Sequence, residues 1–233
     1  MRRNVVVRRT SMRLAAAVAV GGLALAACGG PVKMGAAATA GQQRISTDTL
    51  TNEVANLNAA YQVNAKKKVK PQRPVAQAPQ QVLTWLITFQ IFNELAKLHS
   101  ISPSPTAVHN QLTALDAQAK QQSLTTRTYV SAAGAVPPDL LAQLGRYFAI
   151  LTAFETRLDG GTQPTGQAAQ QALQTRIAHA QCLAAKNLGI RVNPQYGEYD
   201  YGTYSVVPAP SKLAAAASPS AKPSSKPRLT PPC

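Results

Sequence analysis

The chain has 233 residues, with 24 lysines and arginines against nine acids and a net charge of +15. So few acids leave little material for general acid–base chemistry, and three cysteines cannot supply a disulfide framework. No Gly-rich phosphate loop, no Gly-x-Ser-x-Gly and no paired carboxylates on one helix face are present, so no catalytic site and no cofactor are expected.

The basic start, with five arginines and no acid, runs into the uncharged stretch Leu14–Ala27. As a helix that stretch reaches only about 21 Å, against about 30 Å of hydrocarbon core, which favours an export signal over a permanent span. The stretch ends at Leu25-Ala26-Ala27-Cys28-Gly29. This resembles the bacterial lipobox, in which small residues suit the peptidase and the cysteine, here Cys28, carries a thioether-linked diacylglyceryl group before cleavage. Arg8-Arg9 hints weakly at twin-arginine export, since Ser11 stands where a large apolar residue is expected. The expected organisation is a leader at 1–27, a tether at 28–35, one folded domain at 36–207 and a disordered tail at 208–233. The tail is rich in Pro, Ser and Ala and lacks periodic large apolar residues, so ordering it costs more than burial returns. Two acyl chains or more on Cys28 would hold the domain at the extracytoplasmic face of the cell membrane. Without the leader the charge falls to +10, and five of the remaining cations (Lys66, Lys67, Lys68, Lys70, Arg73) sit in one Pro-containing loop.

"AAATA" at 36–40 reads as a strand. A first helix is expected over 47–64, capped by Ser46 or Thr47, with Leu50, Val54, Leu57 and Tyr61 in one stripe. A second, over 79–98, is apolar on nearly every side and therefore central. Ser104 caps a third helix through at least Leu115. A polar linker then leads to Pro137-Pro138 and a fourth helix to Leu158. A fifth, over 167–188, stops at Gly189. The tyrosine-rich stretch that follows reads as two short strands, and the "AAATA" strand beside them would join the two ends of the domain. The class is mainly α with a small sheet. Cys182 is expected to be a small buried apolar residue.

This order resembles the N-terminal domain of SurA/PrsA-type extracytoplasmic foldase chaperones. The resemblance rests on the small-residue strand, the turn Gly41-Gln42-Gln43-Arg44 and Ile45-Ser46 leading into a helix. It rests further on Leu98-His99-Ser100-Ile101-Ser102-Pro103, and on Ile190-Arg191-Val192-Asn193-Pro194-Gln195-Tyr196-Gly197 closing the chain. It implies a holdase or assembly role toward unfolded exported polypeptides. Isomerising members carry a parvulin domain between the helices, whereas Leu115–Pro137 leaves room only for a linker, so isomerase activity is not implied.

Trp85, Phe89 and Phe92 share one face of the second helix. They read either as a groove for unfolded peptides or as core, with core favoured. The loop at 66–73 reads either as a solvated loop or as a surface for anionic lipid or cell-wall polymer. The second alternative gives the rival function, a scaffold for one partner. Nucleic acid is not an expected partner outside the membrane. His99, His109 and His179 lack ligand spacing, so no metal is expected.

Overall fold

The computed structural model describes residues 34–161 and 164–209. The chain divides into two units, Met1–Pro31 and Val32–Cys233, and the described residues belong to the second. The expected leader, Cys28 and all but the first two residues of the expected tail lie outside them. The elements in order are β1 (Ala36–Ala40), β2 (Gln43–Ser46), α1 (Thr47–Lys66), α2 (Ala78–Leu98), α3 (Pro105–Gln121) and α4 (Thr126–Gly134). Then follow α5 (Leu141–Asp159), α6 (Gln167–Leu188), β3 (Arg191–Val192), β4 (Glu198–Asp200) and β5 (Ser205–Val207). The class is mainly α with small antiparallel sheets, as expected.

Side-chain caps set the helix starts. Ser46 Oγ accepts the Thr49 amide at 3.0 Å, and Ser104 Oγ accepts the Ala107 amide at 3.1 Å. Gly189 ends α6 at φ 54°, a left-handed conformation that an L side chain rarely adopts. The expected linker after Leu115 is a correction. It is the end of α3 followed by α4, so six helices are described rather than five. Thr125 caps α4, which buries Val130 and Ala132. Nine residues give too few turns to stand out in a polar stretch, the more so as two of the buried positions are Thr128 and Ser131.

The strands β2-β1-β3 form one sheet, with Ala38 opposite both Ile45 and Val192. The two ends of the domain are therefore joined. Asn193 completes the joint: its amide donates to the Ala37 carbonyl at 2.8 Å and its Nδ2 to the Ala36 carbonyl at 3.2 Å. The tyrosine-rich stretch makes three strands rather than two, and β4 and β5 pair as a separate hairpin. At the hairpin's base Gly197 has φ 126°, and an added Cβ would lie 2.0 Å from the Val207 carbonyl oxygen.

Helix α2 is the axis of the fold. It packs against α1, α5, α6, β1 and β5 and buries Val82, Leu83, Leu86, Ile87, Phe89, Ile91, Phe92 and Leu95. Each of these side chains contributes roughly 1.5–3 kcal/mol by leaving water. On the far side α3 and α5 approach closely at Gly145, where a Cβ would lie 2.8 Å from Leu112 Cγ.

Candidate functional site

The first half of α2 interrupts its apolar surface with polar residues. Gln77, Gln80, Gln81, Thr84 and Thr88 recur at spacings of three and four, so they form one stripe along the helix. This stripe floors a cavity of about 550 Å³. One wall is the end of the β4–β5 hairpin, from Thr203 to Pro208. The other is made by Gly134, Tyr147 and Arg73.

Hydrogen bonds fix both walls. Thr84 Oγ1 accepts the Val206 amide at 2.9 Å, pinning β5 against α2, and donates to the Gln80 carbonyl at 2.7 Å. Tyr204, held at φ 51°, donates its hydroxyl to the Ala178 carbonyl of α6 at 2.8 Å. Asp200 organises the hairpin turn by accepting from the Gly202 amide and the Thr203 hydroxyl. Trp85 Nε1 donates to the Gly134 carbonyl at 2.8 Å, which ties α2 to the end of α4.

Two groups in this groove have no partner. Gln80 Oε1 and Gln81 Oε1 are buried without a hydrogen bond, although Gln81 Nε2 donates to the Pro74 carbonyl at 3.0 Å. Such acceptors normally cost of order 1–3 kcal/mol each, so their retention calls for an explanation. Beside them stand Trp85, Tyr147 and Tyr204. The Trp85 and Tyr147 rings meet edge to face at 5.9 Å, and burial pushes the Tyr147 hydroxyl above its usual range, with Glu155 adding to the shift. The site thus offers amide acceptors, hydroxyls and flat apolar rings, with Arg73 as the one charged lining residue.

Of the three aromatics read either as a groove or as core, with core favoured, two are core. Phe89 and Phe92 are core, with exposures of 4% and 2%, and only Trp85 reaches the cavity. Phe92 packs edge to face on Tyr147 at 4.5 Å, so the buried pair supports the groove from behind. A helix that packs on several elements has no free face at those two positions.

Of the five cations, Lys66 ends α1 and Lys67, Lys68, Lys70 and Arg73 follow it in the loop; all five are exposed. Among the described residues none makes an ion pair. The loop is nevertheless built. Asn64, 1% exposed, donates through Nδ2 to Ser131 Oγ of α4 at 2.9 Å, and the Gln72 amide donates to the Ala132 carbonyl. Arg73 belongs to both the loop and the groove rim.

His99 and His179, distant in sequence, meet at a second cavity of about 610 Å³ with Leu98, Phe154, Leu158 and Leu183. His99 stacks at 4.8 Å on Phe154. Among the described residues no group of three or more His, Cys, Asp or Glu is placed to hold a metal ion. No helix there is long and apolar enough to cross a membrane.

Cys182 requires a correction. It is fully buried, as expected, but it is disulfide-bonded and not a plain apolar residue. A single bridge needs only two cysteines and no repeating framework. The glutamine–threonine stripe also escaped notice behind the apolar majority of α2, although its spacing is a legible signal. Compared with protein-family models, curated proteins and solved structures, the chain matches none.

Proposed function

We propose that this protein binds extended segments of exported polypeptides in the groove along α2, without catalysing a reaction, while held at the extracytoplasmic membrane face by lipid on Cys28. The observation that carries the reading is the pair of partnerless acceptors, Gln80 Oε1 and Gln81 Oε1, beside Trp85 and Tyr204. An extended chain offers an unpaired amide N–H at every residue except proline and apolar side chains at every second position. Buried acceptors and aromatic surfaces answer those two needs without sequence preference, which is what a holdase requires. The resemblance to SurA/PrsA-type chaperone domains points the same way.

The soluble form beginning after Cys28 tests this. It should suppress aggregation of an unrelated unfolding protein at near-stoichiometric ratio. It should leave unchanged the rate of a proline-limited refolding step, normally tens to hundreds of seconds. Losing two hydrogen bonds of about 1 kcal/mol each predicts at least a tenfold weaker effect in the Gln80→Ala/Gln81→Ala variant. Equal suppression by the variant would remove the groove from the account.

One observation favours a second reading, a scaffold for anionic lipid or wall polymer. Between residues 34 and 209 the other cations equal the nine acids in number, so the five loop cations carry the whole net charge. Binding through this loop would vanish with salt and with neutralisation of Lys66, Lys67, Lys68 and Lys70. Neither change should weaken binding in the groove.

A further inference from the structure

We infer that the groove along α2 is directional and takes the last residues of a polypeptide, with the free C-terminal carboxylate held by Arg73. The inference deepens the peptide-binding reading and rests on it. The unmet groups of the groove differ between its floor and its rim. On the floor they are acceptors, Gln80 Oε1 and Gln81 Oε1. At the rim they are donors. Arg73 is the one charged lining residue, and among the described residues its guanidinium makes no ion pair. Tyr61, 5% exposed, lies within the field of that charge with its hydroxyl buried and unpartnered. Burial pushes the hydroxyl above its usual range, and Arg73 opposes that shift.

The Arg73 side chain is exposed, but the backbone on both sides of it is held. The Gln72 amide donates to the Ala132 carbonyl of α4 at 2.8 Å. The Pro74 carbonyl accepts the Gln77 amide at 3.1 Å and Gln81 Nε2 at 3.0 Å. The guanidinium is thus presented at the N-terminal end of the glutamine–threonine stripe. From Gln77 to Thr88 that stripe rises about 16 Å, the span of about five residues of extended chain.

A chain end answers both kinds of unmet group at once. Its amide N–H groups meet the glutamine oxygens, and its alternate side chains meet Trp85 and Tyr204. Its carboxylate meets the planar fork of Arg73 through two parallel hydrogen bonds. The bound chain therefore runs from the Thr88 end of the stripe and finishes at Arg73. An anionic polymer answers Arg73 alone, since phosphates bring no donors for Gln80 and Gln81. Every polypeptide ends in the same group, so a site of this kind stays indifferent to sequence.

Trp85 is the only tryptophan, so its fluorescence reports the groove alone. Full-length protein is titrated at high salt, which screens the exposed lysines of the loop, with three six-residue peptides of alternating valine and serine. The first is acetylated and keeps a free C-terminal carboxylate. The second is acetylated and amidated. The third is amidated and carries its carboxylate on an N-terminal succinyl group. The first should bind about tenfold tighter than the other two, as a charge-assisted pair predicts. Arg73→Gln should bring the acid-to-amide ratio close to one, and Arg73→Lys should keep only part of it, because a point charge lacks the fork. Equal binding of acid and amide by the wild type overturns the directional site and leaves the peptide groove standing. A preference that survives Arg73→Gln, or that the succinylated peptide shares, overturns Arg73 as the anchor of a chain end. Binding of none of the three removes the peptide groove and this inference with it.

Discussion

The two halves of α2 belong to one helix and are used in opposite ways. From Phe89 to Ala96 the helix buries Phe89, Ile91, Phe92, Leu95 and Ala96 and leaves Gln90, Asn93 and Glu94 half-buried. From Gln77 to Thr88 the same helix turns a polar stripe toward an open groove and leaves two acceptors unpaired. The difference lies in what covers each half. The second half meets apolar elements on several sides. The first is packed as well, burying Val82, Leu83, Leu86 and Ile87, but along its polar stripe it meets a hairpin pinned through Thr84 and the Gly134 carbonyl at the end of α4. A core helix can therefore carry a binding surface without any loss of packing, provided the polar residues keep to one stripe.

Substitutions graded along α2 test that division. Phe92→Ala should cost the most, about 3–5 kcal/mol of unfolding free energy by denaturant titration, because it opens a cavity behind Tyr147. Thr84→Val should cost about 1–3 kcal/mol, since the Val206 amide loses its acceptor, and should loosen the hairpin wall. An effect of Thr84→Val equal to that of Phe92→Ala would mean that the groove wall is as integral as the core. Gln80→Leu should leave stability unchanged or slightly higher, because it removes an unpartnered buried acceptor, while weakening peptide binding.

The smallest expected effect is one of pH, on α1. Burial raises the Glu53 carboxyl above its usual range and Asp139 adds to the shift, despite an opposing hydrogen bond from Asn56. A carboxyl raised in the folded state binds its proton more tightly there than in the unfolded chain. Its contribution is thus present below the unfolded value and lost as pH rises through the folded one. The melting temperature of wild type relative to Glu53→Gln should accordingly rise as pH falls from neutral toward the carboxylate range. A flat difference would show that Glu53 is solvated.

The helices were legible where a cap and a stripe agreed, as at Ser46 with Leu50 and Leu57, Ser104, and Gly189. The closing sheet was legible because a run of alanines before Gly41 has no use on a surface and packs well as an inner strand. Helix α4 was hidden because its buried positions include Thr128 and Ser131, which read as polar until their bonds to Thr125 and Asn64 are seen. The candidate groove was half legible. Trp85 stood out by its chemistry, but the stripe of glutamines gains meaning only when Val206 and Tyr204 arrive from the far end of the chain. The bridge at Cys182 left no sequence signal, since one buried cysteine on a helix looks the same free or paired.

Trp85 fluorescence during titration with an uncharged, unfolded reporter peptide tests the central claim most directly. Binding in the groove predicts a saturable shift that survives high salt and neutralisation of the loop lysines, and that weakens at least tenfold in Gln80→Ala/Gln81→Ala. No shift, or one that salt abolishes and the glutamine variant retains, would contradict it.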